Sequence, residues 1–158
     1  MKIGLFFGSF NPIHIGHLII ADQILDASDL ERIWMVISPQ NPFKKKKSLL
    51  DQYDRKHLVE LGTEEHPHIF PSDFEFHLPV PSYTIDSLTY LEEKYPKDEF
   101  YLIMGSDNLK SFHKWKNYEL ILKNYKLLVY QRPGYNKALK LAEHESVHIF
   151  EFPQMDIS

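Results

Sequence analysis

Cysteine is absent from the 158 residues of this chain. The absence excludes a disulfide scaffold, thiolate-bound zinc, iron–sulfur ligation and a cysteine nucleophile. It fits a reducing compartment, and a cytoplasmic location is expected. Long apolar runs are also missing, because no stretch approaches the roughly 20 residues that span a bilayer. The short apolar run over 2–7 predicts a first buried strand rather than a signal peptide, and no membrane partner is expected.

Excess positive charge is the third feature that the sequence lacks. Lys and Arg number 18 against 22 for Asp and Glu, which gives a formal net charge of -4. This balance provides no global basic field for a nucleic-acid backbone, so no nucleic-acid partner is expected. Hydrophobic residues make up 43% of the chain and charged residues 25%, as in ordinary globular domains. The length predicts a single domain over 1–158 with a core of its own.

Predicted strands alternate with predicted helices along the whole chain. This alternation predicts an α/β fold of the Rossmann-like, doubly wound kind, with a parallel sheet and helices on both faces. Ligands of such sheets bind beyond the carboxyl ends of the strands. The predicted strands cover 2–7, 33–37, 68–76 with an interruption at Pro71, 100–104, 127–130 and 146–151. The predicted helices cover 16–27, 51–63 with Asp51 as N-cap, a segment from Ser82 or Thr84 to Lys94, 117–123 and a stretch near 136–143.

The first loop lies between a buried strand and an amphipathic helix, and it has an unusual composition. Gly8 permits a sharp turn and the close approach of a ligand to the backbone. A helix that begins near Gly16 offers unpaired N–H groups and a positive dipole end to a phosphate. The loop and the first residues of the helix read Gly8-Ser9-Phe10-Asn11-Pro12-Ile13-His14-Ile15-Gly16-His17.

Two histidines, His14 and His17, are three residues apart in this segment. If both lie in one helical turn they share a face, and if His14 is still in the loop the two converge on one anion from two sides. Imidazoles beside a helix N-terminus form a clamp that stabilises charge developing on phosphorus. A metal pair is the alternative, but no carboxylate or third histidine is placed nearby, so no metal ligands are predicted. Two nearby histidines alone are more often structural than functional.

The segment resembles the nucleotidyltransferase signature G-x-F-x-P-x-H-x-G-H, and the chain is most similar to bacterial nicotinate mononucleotide adenylyltransferases. The resemblance implies that Gly8, Ser9, Phe10, His14, Gly16 and His17 bind ATP. It implies that His14 and His17 stabilise the transition state. In that family the mononucleotide phosphate attacks the α-phosphorus of ATP directly, and pyrophosphate leaves with Mg²⁺. The implied partners are therefore ATP and nicotinate mononucleotide, with Mg²⁺ as cofactor and a homo-oligomer left open.

Further phosphate contacts follow from the same resemblance. A basic Asn-Pro-containing loop of the family matches 41–47, which makes Lys44 and Lys45 catalytic candidates. A solvated lysine run is the ordinary meaning of such a sequence. Arg132, in an R-P-G segment like that of the family, is a candidate substrate ligand through phosphate, with a structural salt bridge as its alternative.

Three later segments imply contacts to the two ring systems. Thr84, in a match to P-S-Y-T-x-D, implies a contact to the nicotinate carboxylate, and its structural alternative is an N-cap. Trp115 implies stacking on the pyridine ring, and its alternative is a core position. Gly105 and Asp107, in a match to G-x-D, imply contacts to adenosine, and Asp107 is otherwise a cap of the next helix.

One departure from the family concerns the end of the sequence. The family carries a late I-S-S/T-x-x-I-R segment whose Ser and Arg bind ATP phosphates, and here only Ile157 and Ser158 match it. Ser158 is kept as an ATP-binding candidate, and the C-terminal part of the family fold is expected to be missing from this sequence. The alternatives are an adenylyltransferase for nicotinamide mononucleotide or phosphopantetheine, and a non-catalytic nucleotide sensor.

Overall fold

Six parallel strands form one sheet within the residues that the computed structural model describes, which are 1–39, 48–131 and 140–152. Every strand pair is parallel, and the spatial order is β3-β2-β1-β4-β5-β6. This order is the doubly wound Rossmann arrangement, so the predicted fold class is confirmed. The strands are β1 (Lys2–Gly8), β2 (Arg32–Ile37), β3 (Ile69–Ser72), β4 (Glu99–Gly105), β5 (Leu127–Tyr130) and β6 (Val147–Phe150).

Helices cover both faces of the sheet. Successive residues of a strand point to opposite faces, and a separate cluster of buried side chains lies on each face. On β1, Leu5 packs into a cluster that includes Leu88, whereas Phe6 packs into a second cluster that includes Ile24 and Val59. No helix in the described ranges is long and apolar enough to cross a bilayer. The helices are α1 (Ile15–Ala27), α2 (Gln52–Thr63), α3 (Thr84–Lys94), α4 (Ser106–Ser111) and α5 (Tyr118–Asn124), with short 3₁₀ turns at Phe74–His77, Phe112–Lys114 and Lys140–Glu143.

The third predicted strand is shorter than expected. It ends at Ser72, and Phe74–His77 forms a 3₁₀ turn instead. The Phe76 N–H donates to Asp73 O at 2.9 Å and the Leu78 N–H to Glu75 O at 3.2 Å, and these bonds between residues three apart define a 3₁₀ turn rather than a strand. Pro71 is tolerated because β3 lies at the edge of the sheet.

The predicted helix starts had mixed outcomes. Asp51 is the N-cap of α2, and its carboxylate accepts the Tyr53 N–H at 2.8 Å. The prediction of Ser82 or Thr84 as the cap of α3 is wrong, because Tyr83 occupies that position and makes no side-chain cap bond. Helix α4 was not predicted as a helix.

The last predicted helix, near 136–143, lies partly outside the described residues. Within the described part, residues Lys140–Glu143 form a 3₁₀ turn rather than an α-helix.

A switch in strand order positions the site. The chain leaves β1 toward β2 on one side and later returns to place β4 on the other side. The connections after β1 and β4 therefore diverge at the carboxyl edge of the sheet and leave a crevice between them. The loop after Gly8 and helix α4 after Gly105 form the two sides of that crevice.

A buried carboxyl lies between the 3₁₀ turn and α3. Glu75 is buried and accepts a hydrogen bond of 2.5 Å from the Ser87 hydroxyl. Burial raises the pKa of Glu75, and the Ser87 hydrogen bond opposes the shift. The folded protein therefore favours the neutral acid more than the unfolded chain does.

We predict that the free energy of unfolding of Glu75→Gln rises, relative to that of the native protein, as pH rises. A carboxyl whose pKa is raised by folding contributes stability below its unfolded pKa and loses it as pH rises through its folded pKa. Urea unfolding at about pH 5 and about pH 8 measures the difference. Glu93→Gln, at an exposed position of α3, is the matched control. A stability difference that is the same at both pH values for Glu75→Gln would contradict the prediction.

Candidate active site

The first loop is shaped by the ring of Phe10. Phe10 has a left-handed backbone with φ of 48°, which is costly for a bulky residue. Its side chain is 2% exposed and lies over the end of β1. A Cβ added at Gly8 would lie 3.0 to 3.2 Å from three atoms of this ring. Any larger residue at position 8 would therefore require the Phe10 ring to move by a few tenths of an ångström.

Both histidines accept backbone hydrogen bonds at the start of α1. His14 is the N-cap, and its Nδ1 accepts the Gly16 N–H at 3.1 Å. The His14 N–H in turn donates to Nδ1 of His17 at 3.1 Å. The two rings stack with centroids 3.8 Å apart and an interplanar angle of 28°. His14 thus lies in the loop and His17 in the first helical turn, and their rings meet.

These hydrogen bonds determine which ring nitrogen carries the proton. A nitrogen that accepts an N–H bond has no proton of its own, so the neutral ring is protonated at Nε2. Both rings therefore present Nε2–H as a donor, at the positive end of the α1 dipole. Phe10 supports this arrangement, with its ring edge-on to His17 at a centroid distance of 5.1 Å. Such a pair is suited to holding phosphate oxygens.

The histidines line a cleft of about 460 Å³ at the crevice in the sheet. Of the predicted site residues, the structure places Gly8, Ser9, Phe10, His14 and His17 in its wall. The other lining residues were not among the predicted site residues, and they come from the loop, β1, β4, α4 and β5. They are Phe6, Phe7, Asn11, Pro12, Ile103, Met104, Asn108 and Tyr130. Their position at or after strand ends is the signal that identifies them.

Three predicted ATP-binding residues lie next to the cleft rather than in its wall. Gly16 is buried, and its N–H is used by His14. Gly105 follows the lining residue Met104, and Asp107 precedes the lining residue Asn108. Oδ1 of Asp107 is buried and has no hydrogen-bond partner among the described residues. A ribose hydroxyl is the type of donor that would satisfy such an oxygen.

The two residues predicted to hold the nicotinate belong to segments that contact each other. Lys116 lies 3.4 Å from the Asp86 carboxylate and 4.8 Å from the centroid of the Tyr83 ring. This lysine therefore joins the start of α3, which carries Thr84, to the segment that carries Trp115. Trp115 is half-buried, and its ring packs on Phe112 with centroids 4.8 Å apart. The Lys116 contacts thus bring the segment that carries Trp115 next to the start of α3.

Four predicted site residues lie outside the described residues. They are Lys44, Lys45, Arg132 and Ser158.

Comparisons with known proteins agree with this geometry. Residues 5–158 match the cytidylyltransferase-like family. The whole chain is 54% identical to a probable nicotinate-nucleotide adenylyltransferase of Flavobacterium psychrophilum and covers 82% of it. It is 52% identical to the protein of the same name from Flavobacterium johnsoniae, again over the whole chain and 82% of the relative. The chain belongs to the nicotinate-nucleotide adenylyltransferase family. The family predicted from the first loop is confirmed.

A solved structure shares the fold of this nicotinate-nucleotide adenylyltransferase family member. It is the nicotinic acid mononucleotide adenylyltransferase of Plasmodium falciparum complexed with NaAD, with a TM-score of 0.82 and 22% identity. The match covers 98% of this chain and 76% of that one.

We predict that His14 and His17 are both Nε2–H tautomers in the folded protein, because backbone N–H groups occupy both Nδ1 atoms. Long-range ¹H–¹⁵N spectra of the histidine rings at about pH 8, where neutral imidazole dominates, report the protonated nitrogen. His57 is exposed on α2 and serves as the control, with an averaged tautomer signal expected. A protonated Nδ1 in either His14 or His17 would show that the cap geometry is wrong.

Proposed function

We propose that this protein transfers the adenylyl group of ATP to nicotinate mononucleotide, giving nicotinate adenine dinucleotide and pyrophosphate. The observation that carries the proposal is the stacked His14–His17 pair, whose Nδ1 atoms are held by backbone N–H groups at the start of α1. The family to which the chain belongs supports the acceptor.

The reaction is a direct substitution at the α-phosphorus of ATP. An oxygen of the acceptor phosphate forms the new P–O bond while the bond to the bridging oxygen of pyrophosphate breaks. Nε2–H of His14 and His17 donates to phosphate oxygens and stabilises the charge that develops there. Positioning of the substrates and charge stabilisation accelerate the direct substitution, so no covalent enzyme intermediate is needed.

Mg²⁺ enters this proposal as part of the MgATP substrate. None of the described residues that line the cleft is a carboxylate. Protein sites of Mg²⁺ commonly combine few protein ligands with substrate phosphates and water. Phosphate oxygens of ATP would thus ligate the ion, and magnesium would neutralise the pyrophosphate that leaves.

The remaining residue roles belong to the same proposal. Gly105 and Asp107 lie at the adenosine, where Oδ1 of Asp107, which has no partner among the described residues, accepts a hydrogen bond from a ribose hydroxyl. Thr84 and Trp115 hold the nicotinate. The phosphate roles of Lys44, Lys45, Arg132 and Ser158 rest on the sequence pattern alone. A cytoplasmic location and a lack of nucleic-acid partners also stay predictions.

Pyrophosphate release from MgATP tests the proposed acceptor. We expect release with nicotinate mononucleotide and little with nicotinamide mononucleotide or phosphopantetheine. Release with one of the other acceptors only would retain adenylyl transfer and overturn the nicotinate assignment. ATP binding without release with any acceptor would favour a nucleotide sensor.

Replacing His17 by alanine is predicted to lower kcat by about 10²–10³, as the loss of a transition-state donor does. The stability measured by urea unfolding should change far less. The control is His57→Ala, which removes an exposed histidine from α2 and should retain full activity. An unchanged kcat in His17→Ala would refute the role of this side chain.

The two tryptophans of the chain provide a matched test of the nicotinate site. A pyridine ring stacked on Trp115 should quench the fluorescence of that residue. Trp34 instead packs edge-on against Tyr95 and Phe100. We predict that nicotinate mononucleotide quenches the fluorescence of Trp34→Phe but not that of Trp115→Phe. Quenching that survives in Trp115→Phe would place the pyridine ring elsewhere.

A further inference from the structure

Arg55 is a fully buried cation beneath the first loop. Its exposed fraction is 0%, although arginine is rarely buried without a charged partner. The guanidinium donates to three backbone carbonyls instead of a carboxylate. Nε bonds to Leu50 O at 2.9 Å, and Nη1 bonds to Ser9 O at 2.7 Å and to Ser38 O at 2.8 Å.

The three carbonyls come from three separate segments. Ser9 follows β1, Ser38 follows β2 and Leu50 precedes α2. A planar group with five N–H donors in fixed directions is suited to joining them, whereas a lysine ammonium lacks the fork. Nη2 has no hydrogen-bond partner among the described residues.

Burying the Arg55 guanidinium costs desolvation free energy, which a side chain that only fills space would not incur. Burial lowers the pKa of Arg55, and only the nearby Asp51 carboxylate opposes the shift. An apolar side chain of similar volume would fill the same space without a desolvation penalty. The carbonyl contacts therefore indicate that the position of the loop matters.

The Ser9 carbonyl is connected to His17 through Phe10. It belongs to the peptide bond that enters Phe10, whose φ of 48° has to be held by its surroundings. The ring of Phe10 then supports His17 at a centroid distance of 5.1 Å. Asn11, the next residue, bonds to the same neighbouring segment, since its Oδ1 accepts the Leu50 N–H at 2.9 Å.

We propose that Arg55 is a positioning residue for His17. It holds the Ser9–Phe10 peptide in the conformation that places the Phe10 ring against the imidazole, and it does not touch either substrate. The proposal deepens the proposed function and depends on it for its kinetic effect. Its geometric part, the orientation of the His17 ring, is independent of the acceptor.

A double-mutant comparison tests the link to His17. Arg55→Lys retains the charge and Arg55→Gln removes it, and both lose the fork. We expect either change to lower kcat by about tenfold to a hundredfold, as small misplacements of catalytic groups do. The KM for ATP should change little. In a His17→Ala background the same changes should cost about twofold or less, because the group that Arg55 positions is already gone.

The exposed Arg32 at the start of β2 is the matched control, and Arg32→Lys should retain full kcat in both backgrounds. Equal fold losses from the Arg55 changes with and without His17 would overturn the proposal. So would a kcat loss no larger than the loss of folded protein measured by urea unfolding. If Arg55→Gln does not fold, Arg55→Lys alone tests the positioning role.

Histidine ring spectra separate this proposal from the function itself. In Arg55→Lys we expect the ¹⁵N signals of His17 to shift or broaden while those of His57 stay unchanged. An unchanged His17 signal would overturn the positioning role even in an active enzyme. If the native protein releases no pyrophosphate with any acceptor, the proposed function fails, and the ring spectra still test the geometry.

Discussion

The parallel pairing of β1 with β4 is the interaction on which the site depends. It places two strands side by side whose following segments turn away from each other. The resulting crevice receives the His14–His17 segment from one side and α4 from the other. Ligands of such sheets bind in the crevice at the carboxyl ends of the strands. The chemistry of the site is therefore a consequence of strand order.

Local sequence patterns predicted most of the fold because the buried strands are short apolar runs that end at glycine or polar loops. The strand over 2–7 and the helix near 16–27 agree closely with β1 and α1. Errors arose where tertiary contacts decide. In the 3₁₀ turn at Phe74–His77 the Glu75 carboxyl accepts a hydrogen bond from Ser87 of α3, and α3 starts at Thr84 because the Tyr83 carbonyl accepts the first hydrogen bonds.

The candidate site was only partly predictable, for a related reason. Gly8 and the two histidines stand in one continuous motif, so their joint position could be predicted. Asn108 reaches the same cleft from α4 and Tyr130 from the end of β5, and neither was among the predicted site residues. Arg55 carries no sequence signal at all, since an arginine on a polar helix resembles an exposed one until the fold buries it.

The close contact between Gly8 and the Phe10 ring has a consequence for how the family can diverge. The space above the end of β1 is shared by the two positions, so a side chain at position 8 would either displace the Phe10 ring or call for a smaller residue at position 10. A smaller residue at position 10 would in turn remove the support of His17. The two positions should therefore vary together or stay fixed, and among active relatives glycine at position 8 should accompany an aromatic residue at position 10.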